Sequence, residues 1–470
     1  MLRAYPSPSI PSPKFVTYFA GSRRPWRRCA LWLTALLVAG SALPASAEPT
    51  PSQALPEKSL GECIAIALEH HPTLKAAGAS VEAANQHVWV AAAPYLPQLD
   101  AFYSLRRQQT SIAAQIQTGG SAGSTQAKQL QTSNFYSTGV TFSQILFDFG
   151  QTLASIRSAQ ASERSAENDR TTTRDTVILN VQQSYFNVLA TRRLLRVADE
   201  TVRQTSKQLD QAQGRHEVGV APKFDVTTAE VNLANAKLNQ VSARNNVAVA
   251  RETLRNALGI NGPLDFDVVD NLATSRVRIT DEEALAIAYK DRPDLLSLFE
   301  QETAQQEQIT SLQRQYLPTV TSNGEYNWQG NDYPLQDTWM IGASVNLSIL
   351  NGGLTRAQIA EAKANLEVLK FNEQGLRQNI ALQVRQAALN LQQAEESIGV
   401  AEKGAQQARE SLELAEGRYK TGVGNIIELT NAQVQLTSAE ASYVQALYSY
   451  QTSLAQLENA IGKPVGLEAQ

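Results

Sequence analysis

Apolar residues follow two different periods along this chain. From Trp339 to Ile349 every second residue is apolar, and similar alternation occurs over 319–329, 99–106 and 136–146. Alternation at every second position is typical of a strand with one apolar and one polar face. The four segments therefore predict two β-hairpins. The connection of the first hairpin, at about 110–131, is rich in Gly, Ser, Thr and Gln and holds an insertion.

The rest of the chain predicts helices of unusual length. Neither Gly nor Pro occurs from Gln151 through Gln213, a run of 63 residues, and an α-helix of that length would extend about 95 Å. A return helix is expected over 223–258, and a second antiparallel pair over 354–421 and from there to Ile461. Apolar positions of the first long helix form a narrow stripe: Val177, Val181, Ser184 with Tyr185, Val188, Leu195, Val202 and Leu209. This pattern favours helices packed side by side in a layer.

Each long helix is preceded by shorter helices with their own start and stop signals. Segments 59–62 and 280–283 begin with Ser or Thr and end with Glu, the spacing of a capping box. A proline, Pro72 or Pro293, ends each short helix and opens the next one. The helix after Pro72 and the predicted return helix together nearly match the length of the unbroken helix. We therefore expect these two to stack end to end beside it.

The chain contains this arrangement twice. Tyr95-Leu96-Pro97 returns as Tyr316-Leu317-Pro318 at an offset of 221 residues, and Gly214-Arg215 returns as Gly417-Arg418 at an offset of 203. The difference of 18 residues, 221 minus 203, places the insertion between Pro97 and Phe142. A duplicated unit of about two hundred residues is too long for a solenoid repeat and predicts two structurally equivalent halves.

The N-terminus predicts an export signal over residues 1–47. Four arginines between positions 23 and 28 precede an apolar run at 30–39, and Ala45-Ser46-Ala47 supplies a small-residue cleavage site. The remaining boundaries predict a linker at 48–58, a first repeat at 59–262, a second linker at 263–279, a second repeat at 280–462 and a tail at 463–470.

Composition and charge exclude several classes of function. The net charge of −4 comes from interspersed residues, so no basic patch indicates a nucleic-acid partner. Removal of the signal would leave Cys63 as the single cysteine, which excludes an intramolecular disulfide and predicts a buried structural thiol. Adjacent His70 and His71 do not share a helix face, so no metal site is expected there. Without a nucleophile–base constellation or a phosphate-binding loop, we expect neither an enzyme nor a cofactor.

The number of strands predicts an assembly. Four strands cannot close a barrel, and open strand edges are not tolerated in lipid. Strands from other copies must complete the cylinder, eight from two chains or twelve from three, and the duplication favours three. The apolar faces would then meet lipid, with aromatic girdle candidates Tyr103, Tyr136, Tyr326, Trp328 and Trp339. In the alternative, these aromatics fill the core of a soluble sandwich. Polar helices of about 95 Å should project into an aqueous compartment.

The chain resembles the TolC-type outer-membrane efflux family over essentially all of residues 58–463. The paired Pro-x-Leu and Tyr-Leu-Pro elements and the doubled Gly-Arg … Gly-Val … Asp/Glu turns carry the resemblance. It implies a mainly α fold with a small β part, in which duplicated helical hairpins form a trimeric α-helical barrel continuous with a twelve-stranded outer-membrane β-barrel. It also implies a Gram-negative outer-membrane location with a long periplasmic extension, a periplasmic adaptor and an inner-membrane pump as partners.

The two helix turns at the far tip are where this family closes its tunnel and meets its adaptor. The matching docking positions form two sets of three: Arg215, Gly219 and Val220, then Arg418, Gly422 and Val423. Glycine permits the positive φ angles that tight turns require. In the alternative interpretation, these residues only build ordinary helical-hairpin turns.

The resemblance also implies a gate just inside the tip. Asp225 and Glu428 match the family's acidic positions, and Tyr419 matches a gate tyrosine. Six carboxylates in a trimer would attract cations into a narrow bore. The same two carboxylates could equally serve as helix N-terminal charges favoured by the dipole. Gly424 stands where some members carry a gate-locking arginine, and Asn431 replaces a second acidic ring.

Three functions follow from this pattern. The first is the outer-membrane duct of a tripartite efflux pump for small molecules. The second, within the same fold, is the exit duct of a type I protein secretion system. The third is a structural periplasmic coiled-coil protein.

Overall fold

A computed structural model describes residues 56–111, 130–270 and 280–463. The predicted export signal, most of the linker after it, the insertion in the first hairpin and the tail beyond residue 463 lie outside the described residues. The first half contains β1 (Glu57–Lys58), α1 (Leu60–His70), α2 (Pro72–Ala92), β2 (Gln98–Ser111), β3 (Leu130–Phe147), α3 (Gln151–Glu217), α4 (Lys223–Ala257) and β4 (Asp267–Val268). The second half contains α5 (Asp281–Asp291), α6 (Pro293–Arg314), β5 (Thr319–Gly330), β6 (Gln336–Asn346), α7 (Leu354–Thr421) and α8 (Ile426–Ile461). The predicted fold class, mainly α with a small β part, is confirmed.

Both capping boxes are present. The Ser59 hydroxyl accepts the Glu62 N–H at 3.4 Å while the Glu62 carboxylate accepts the Ser59 N–H at 2.7 Å. Thr280 and Glu283 repeat the exchange at 3.3 Å in each direction. The long helices α3 and α7 have 67 and 68 residues, or about 100 Å each. Helix α3 continues through Gly214, where we predicted a turn, because one interior glycine costs a helix only about 1 kcal/mol.

The shorter helices stack end to end beside the long ones. A Cβ atom added to Gly259, just after α4, would lie 2.8 Å from the Cα of His71, just before α2. In the second half, a Cβ on Gly462 after α8 would lie 3.3 Å from the Cα of Arg292 before α6. The two glycines have φ angles of +69° and +77°. Glycine at each junction therefore both turns the chain and lets one helix end meet the next.

We expect Gly259→Ala to lower the free energy of unfolding by about 1–3 kcal/mol, since a side chain at positive φ costs about 1–2 kcal/mol and its Cβ would also collide with backbone. The measurement is thermal unfolding of the detergent-purified protein followed by far-UV circular dichroism. Gly404→Ala, inside α7 with open space around its Cβ position, is the matched control and should be neutral or stabilising by up to about 1 kcal/mol. Equal melting temperatures of the two variants would contradict the claim that Gly259 is needed where the end of α4 meets the start of α2.

Strands β2, β3, β5 and β6 form one antiparallel sheet in that order, so the β3–β5 ladder joins the two halves. A register shift between Ile145 and Phe147 marks a bulge near the end of β3. The alternation of apolar residues continues to Ile349, but the strand ends at Asn346. Asn346 pairs with Thr319, the first residue of β5, and the preceding Pro318 has no N–H to continue the ladder.

The register places most of the predicted apolar positions of the four strands on one face. Directly paired residues share a face, and the pairs include Leu99 with Phe142, Val140 with Tyr326, and Tyr326 with Trp339. The five predicted girdle residues share this face: Tyr103, Tyr136, Tyr326, Trp328 and Trp339. The opposite face contains mainly small and polar side chains: Asp100, Ser104, Ser137, Thr141, Asn323, Glu325, Thr338 and Met340.

Apolar packing is concentrated within each half. One cluster of buried residues joins α1, α3 and α4, and another joins α5, α6, α7 and α8. Hydroxyl pairs bridge the boundary between the halves, where α3 meets α6 and α8: Ser155 with Ser311 and Ser165 with Ser297 at 2.9 Å, Thr201 with Thr437 at 3.1 Å. Within the described ranges, none of the helices combines the length and apolarity that a bilayer crossing requires.

The end of the first predicted linker pairs with a segment inside the second one, a contact the sequence analysis missed. Strand β1 lies parallel to β4, and the guanidinium groups of Arg192 and Arg251 both bind the Asp267 carboxylate. The Tyr185 hydroxyl donates to the Val269 carbonyl at 2.8 Å. Nearby, Cys63 is fully buried, and burial raises the pKa of its thiol to about 11, so the thiol stays protonated.

Candidate functional site

The first tip turn closes helix α3 onto helix α4. The carbonyl of Arg215 accepts the N–H groups of Val220 and Ala221 at 2.9 and 3.2 Å, which reverses the chain around Gly219. Gly219 has a φ angle of +74°, a conformation that favours glycine. The predicted role of this glycine in the turn is thus visible in the backbone.

The second turn uses the same device at the equivalent positions. The carbonyl of Arg418 accepts the N–H groups of Val423 and Gly424 at 3.1 and 2.9 Å, and Gly422 has a φ angle of +79°. The side chain of Asn425 then accepts the Glu428 N–H at 2.8 Å and caps α8. In each turn, hydrogen bonds therefore fix the backbone of one valine, Val220 in the first turn and Val423 in the second.

The two turns are joined through Arg215, Tyr419 and Asp225. One Nη atom of Arg215 donates to the backbone carbonyl of Tyr419, and its guanidinium carbon lies 4.8 Å from the centre of the Tyr419 ring. The Tyr419 hydroxyl donates to a carboxylate oxygen of Asp225 at 3.4 Å. Tyr419 is only 2% exposed. Burial, together with the charge of Asp225, raises the pKa of the Tyr419 hydroxyl, which keeps it a hydrogen-bond donor.

Arg418 and Glu428 form a separate pair inside the second hairpin, with Nε and a carboxylate oxygen 2.9 Å apart. Both side chains are about half exposed. A Cβ atom on Gly424 would lie 3.0 Å from the Cβ of Arg418 and 3.2 Å from the Glu428 carboxylate. Any larger residue at 424 would press on this ion pair, which gives a local reason for glycine at that position.

The tip presents a group of exposed apolar side chains. Val220 and Val423, two of the predicted docking residues, are 66% and 72% exposed. Sequence analysis missed three neighbours that are also exposed: Val218, Phe224 and Ile427. Val218 lies beside the turn glycine Gly219, which was the signal that could have found it. Phe224 and Ile427 lie in the first turns of α4 and α8, directly after the tip turns. We call these five residues the tip patch.

Above the tip, the contact between the two hairpins remains polar. The Asn232 amide donates to the Thr430 hydroxyl at 3.0 Å, joining α4 to α8. Gln208 of α3 reaches Gln433 of α8 at 3.5 Å. The hairpins themselves are held by apolar clusters, such as the one around Leu412, Leu429 and Tyr419. The weaker boundary at the tip thus lies between the hairpins and not within them.

The sheet has one apolar face, and its edge strands β2 and β6 have no further strand partner among the described residues. It is continuous with helices of about 100 Å that end in exposed turns. These features define an outer-membrane channel-tunnel subunit. A family model described as outer membrane efflux protein matches residues 63–260 and 284–463. The chain therefore belongs to the outer membrane efflux protein family. The two matched segments correspond to the two halves of the fold.

Individual relatives cover most of the chain. Protein CyaE of Bordetella pertussis is 29% identical over 406 residues, 84% of this chain and 82% of that protein. Outer membrane protein TolC of Escherichia coli K12 is 26% identical over 381 residues, 77% and 73% of the two chains. The crystal structure of the Campylobacter jejuni CmeC outer membrane channel shares the fold, with a TM-score of 0.74 at 20% identity over 91% of this chain and 94% of that one.

Proposed function

We propose that three copies of this chain form one continuous channel through the outer membrane and periplasm. A periplasmic adaptor would contact the tip turns and connect the channel to an inner-membrane pump that drives small molecules outward. The observation that carries the proposal is a sheet with one apolar face whose edge strands, β2 and β6, lack an outer partner in the part of the chain that the structure describes. In lipid these edges require partners, and a second copy of the same sheet supplies them.

Exposed apolar stripes on the edge helices support the same assembly. Helices α4 and α7 lie on opposite sides of the helical layer, because α3 and α8 pack between them. At 100° per residue, three exposed residues of α4 fall within about 20° of one another: Val231, Leu238 and Val249. Four exposed residues of α7 likewise share one face: Leu382, Leu389, Val400 and Leu414. Packing α4 of one copy against α7 of the next would bury both stripes.

Leu238→Glu is expected to prevent stable trimer formation, because each interface would then bury an unpaired carboxylate in place of an apolar side chain. Mass measurement of the detergent-solubilised protein tests this, with three chains expected for the wild type and one for the variant. Lys237→Glu adds the same carboxylate at the neighbouring exposed position and should leave the trimer intact. A wild-type protein that is monomeric and does not conduct in planar bilayers would overturn the proposed function.

The tip residues fit a closed gate and a docking surface. Asp225, Glu428 and Tyr419 lie just inside the turns, where three chains would contribute six carboxylates to the narrow end of the tunnel. The tip patch and its turn glycines, Gly219 and Gly422, would meet the adaptor, since exposed apolar residues rimmed by charge are typical of protein contacts. Deleting the gene should raise susceptibility to exported compounds; loss of a secreted protein instead would favour the type I secretion role.

A further inference from the structure

The two arginines at equivalent tip positions have different surroundings. Arg418 pairs with Glu428 inside its own hairpin and is 54% exposed. Arg215 is half-buried and reaches across to the other hairpin, where it contacts both the backbone carbonyl and the ring of Tyr419. We propose that Arg215 is a positioning residue of the gate, which holds Tyr419 in the orientation that closes the tip. This inference rests on the proposed function, since it assumes a tunnel that the tip closes.

The geometry gives Arg215 two simultaneous contacts that fix one residue. The hydrogen bond to the carbonyl fixes the end of α7, and the guanidinium plane over the ring limits rotation of the tyrosine side chain. Arginine suits both contacts, because its planar group donates several hydrogen bonds and stacks on aromatic faces. A Cβ atom on Gly422 would lie 3.6 Å from the second Nη atom of Arg215, so the guanidinium also lies against the second turn.

The consequence of this placement is the bond between Tyr419 and Asp225. The Tyr419 hydroxyl reaches the Asp225 carboxylate at 3.4 Å, a long contact that depends on the orientation of the ring. Arg215 and Asp225 belong to the first hairpin and Tyr419 to the second, so the three residues tie the hairpins together at the tip. Without Arg215, the ring would lose its fixed orientation and this bond would open more often. Because the boundary above it is polar, no large apolar contact would replace the lost bonds.

Resting conductance of purified trimers in planar bilayers tests the proposal. We expect Arg215→Met to raise the conductance of the resting channel at least fivefold. Arg215→Lys should give an intermediate rise, because the ammonium group can still reach the ring or the carbonyl but not both. Arg203→Met is the matched control: it removes an exposed arginine of α3 that pairs with Glu200 of the same helix, and it should leave the resting conductance unchanged.

Double variants separate positioning from a general loosening of the tip. If Arg215 acts by orienting the Tyr419 hydroxyl, Arg215→Met should add little to the conductance of Tyr419→Phe, which already lacks that hydroxyl. The control Arg203→Met should leave the conductance of Tyr419→Phe unchanged as well. Unchanged resting conductance of Arg215→Met, or full multiplication of its effect with that of Tyr419→Phe, would overturn the inference while the channel itself stands. A wild-type protein that never conducts would instead remove the proposed function.

Discussion

Ile341→Lys is expected to abolish assembly in the outer membrane. Ile341 lies at the middle of β6 on the apolar face of the sheet and is 73% exposed in the single chain. A lysine facing lipid near the middle of a barrel costs about 2–4 kcal/mol, and a trimer would contain three of them. For three lysines, this cost is comparable to the whole free energy of unfolding of an ordinary domain. Membrane fractionation followed by electrophoresis of unheated samples should show no trimer in the outer-membrane fraction.

The neighbouring residue supplies a matched control. Met340 precedes Ile341 on the same strand, is 60% exposed and points to the opposite face, where it pairs with Glu325. On that face a lysine would meet the water of the lumen and a carboxylate on the next strand. We therefore expect Met340→Lys to assemble normally. Equal loss of both variants, or equal tolerance of both, would contradict the assignment of one face to lipid and the other to the lumen.

The double replacement Asp225→Asn/Glu428→Gln should reduce the preference of the channel for cations about fivefold or more at low salt. It removes six carboxylates from the tip of a trimer, and one unit charge at about 4 Å contributes roughly 1 kcal/mol even in water. The effect should shrink as ionic strength rises, since salt screens charges over about 10 Å at 0.1 M. Reversal potentials across a KCl gradient in planar bilayers measure the change.

Two other exposed carboxylates control for the loss of charge itself. Glu230 of α4 and Glu413 of α7 are exposed and lie farther from the turns, so Glu230→Gln/Glu413→Gln removes the same number of charges per chain. Selectivity of that variant should stay near the wild-type value. If the tip variant keeps its cation preference, the carboxylates serve only as helix caps and ion-pair partners, such as the Glu428 contact to Arg418.

Local signals in the sequence were sufficient wherever neighbouring residues decide the structure. The capping boxes at Ser59 and Thr280, the prolines at 72 and 293 and the glycines of the two turns act within a few residues, and the structure has each of them. Alternation placed the girdle residues on one face because side chains in a strand change sides at every residue. The repeated motifs also predicted that the chain has two halves with the same order of helices and strands, as the structure shows.

The sequence by itself determined the class of fold, the order of the helices and hairpins, and the two glycine turns between the long helices. Only the tertiary structure decided what the residues at these turns touch. Arg215 and Arg418 occupy equivalent positions in the repeat, yet one crosses to Tyr419 and the other binds Glu428. The pairing of β1 with β4 likewise joins segments more than two hundred residues apart. A pattern of residues fixes local conformation, whereas such contacts depend on how two long, rigid hairpins lie against each other, and a shift of a few ångströms would exchange one partner for another.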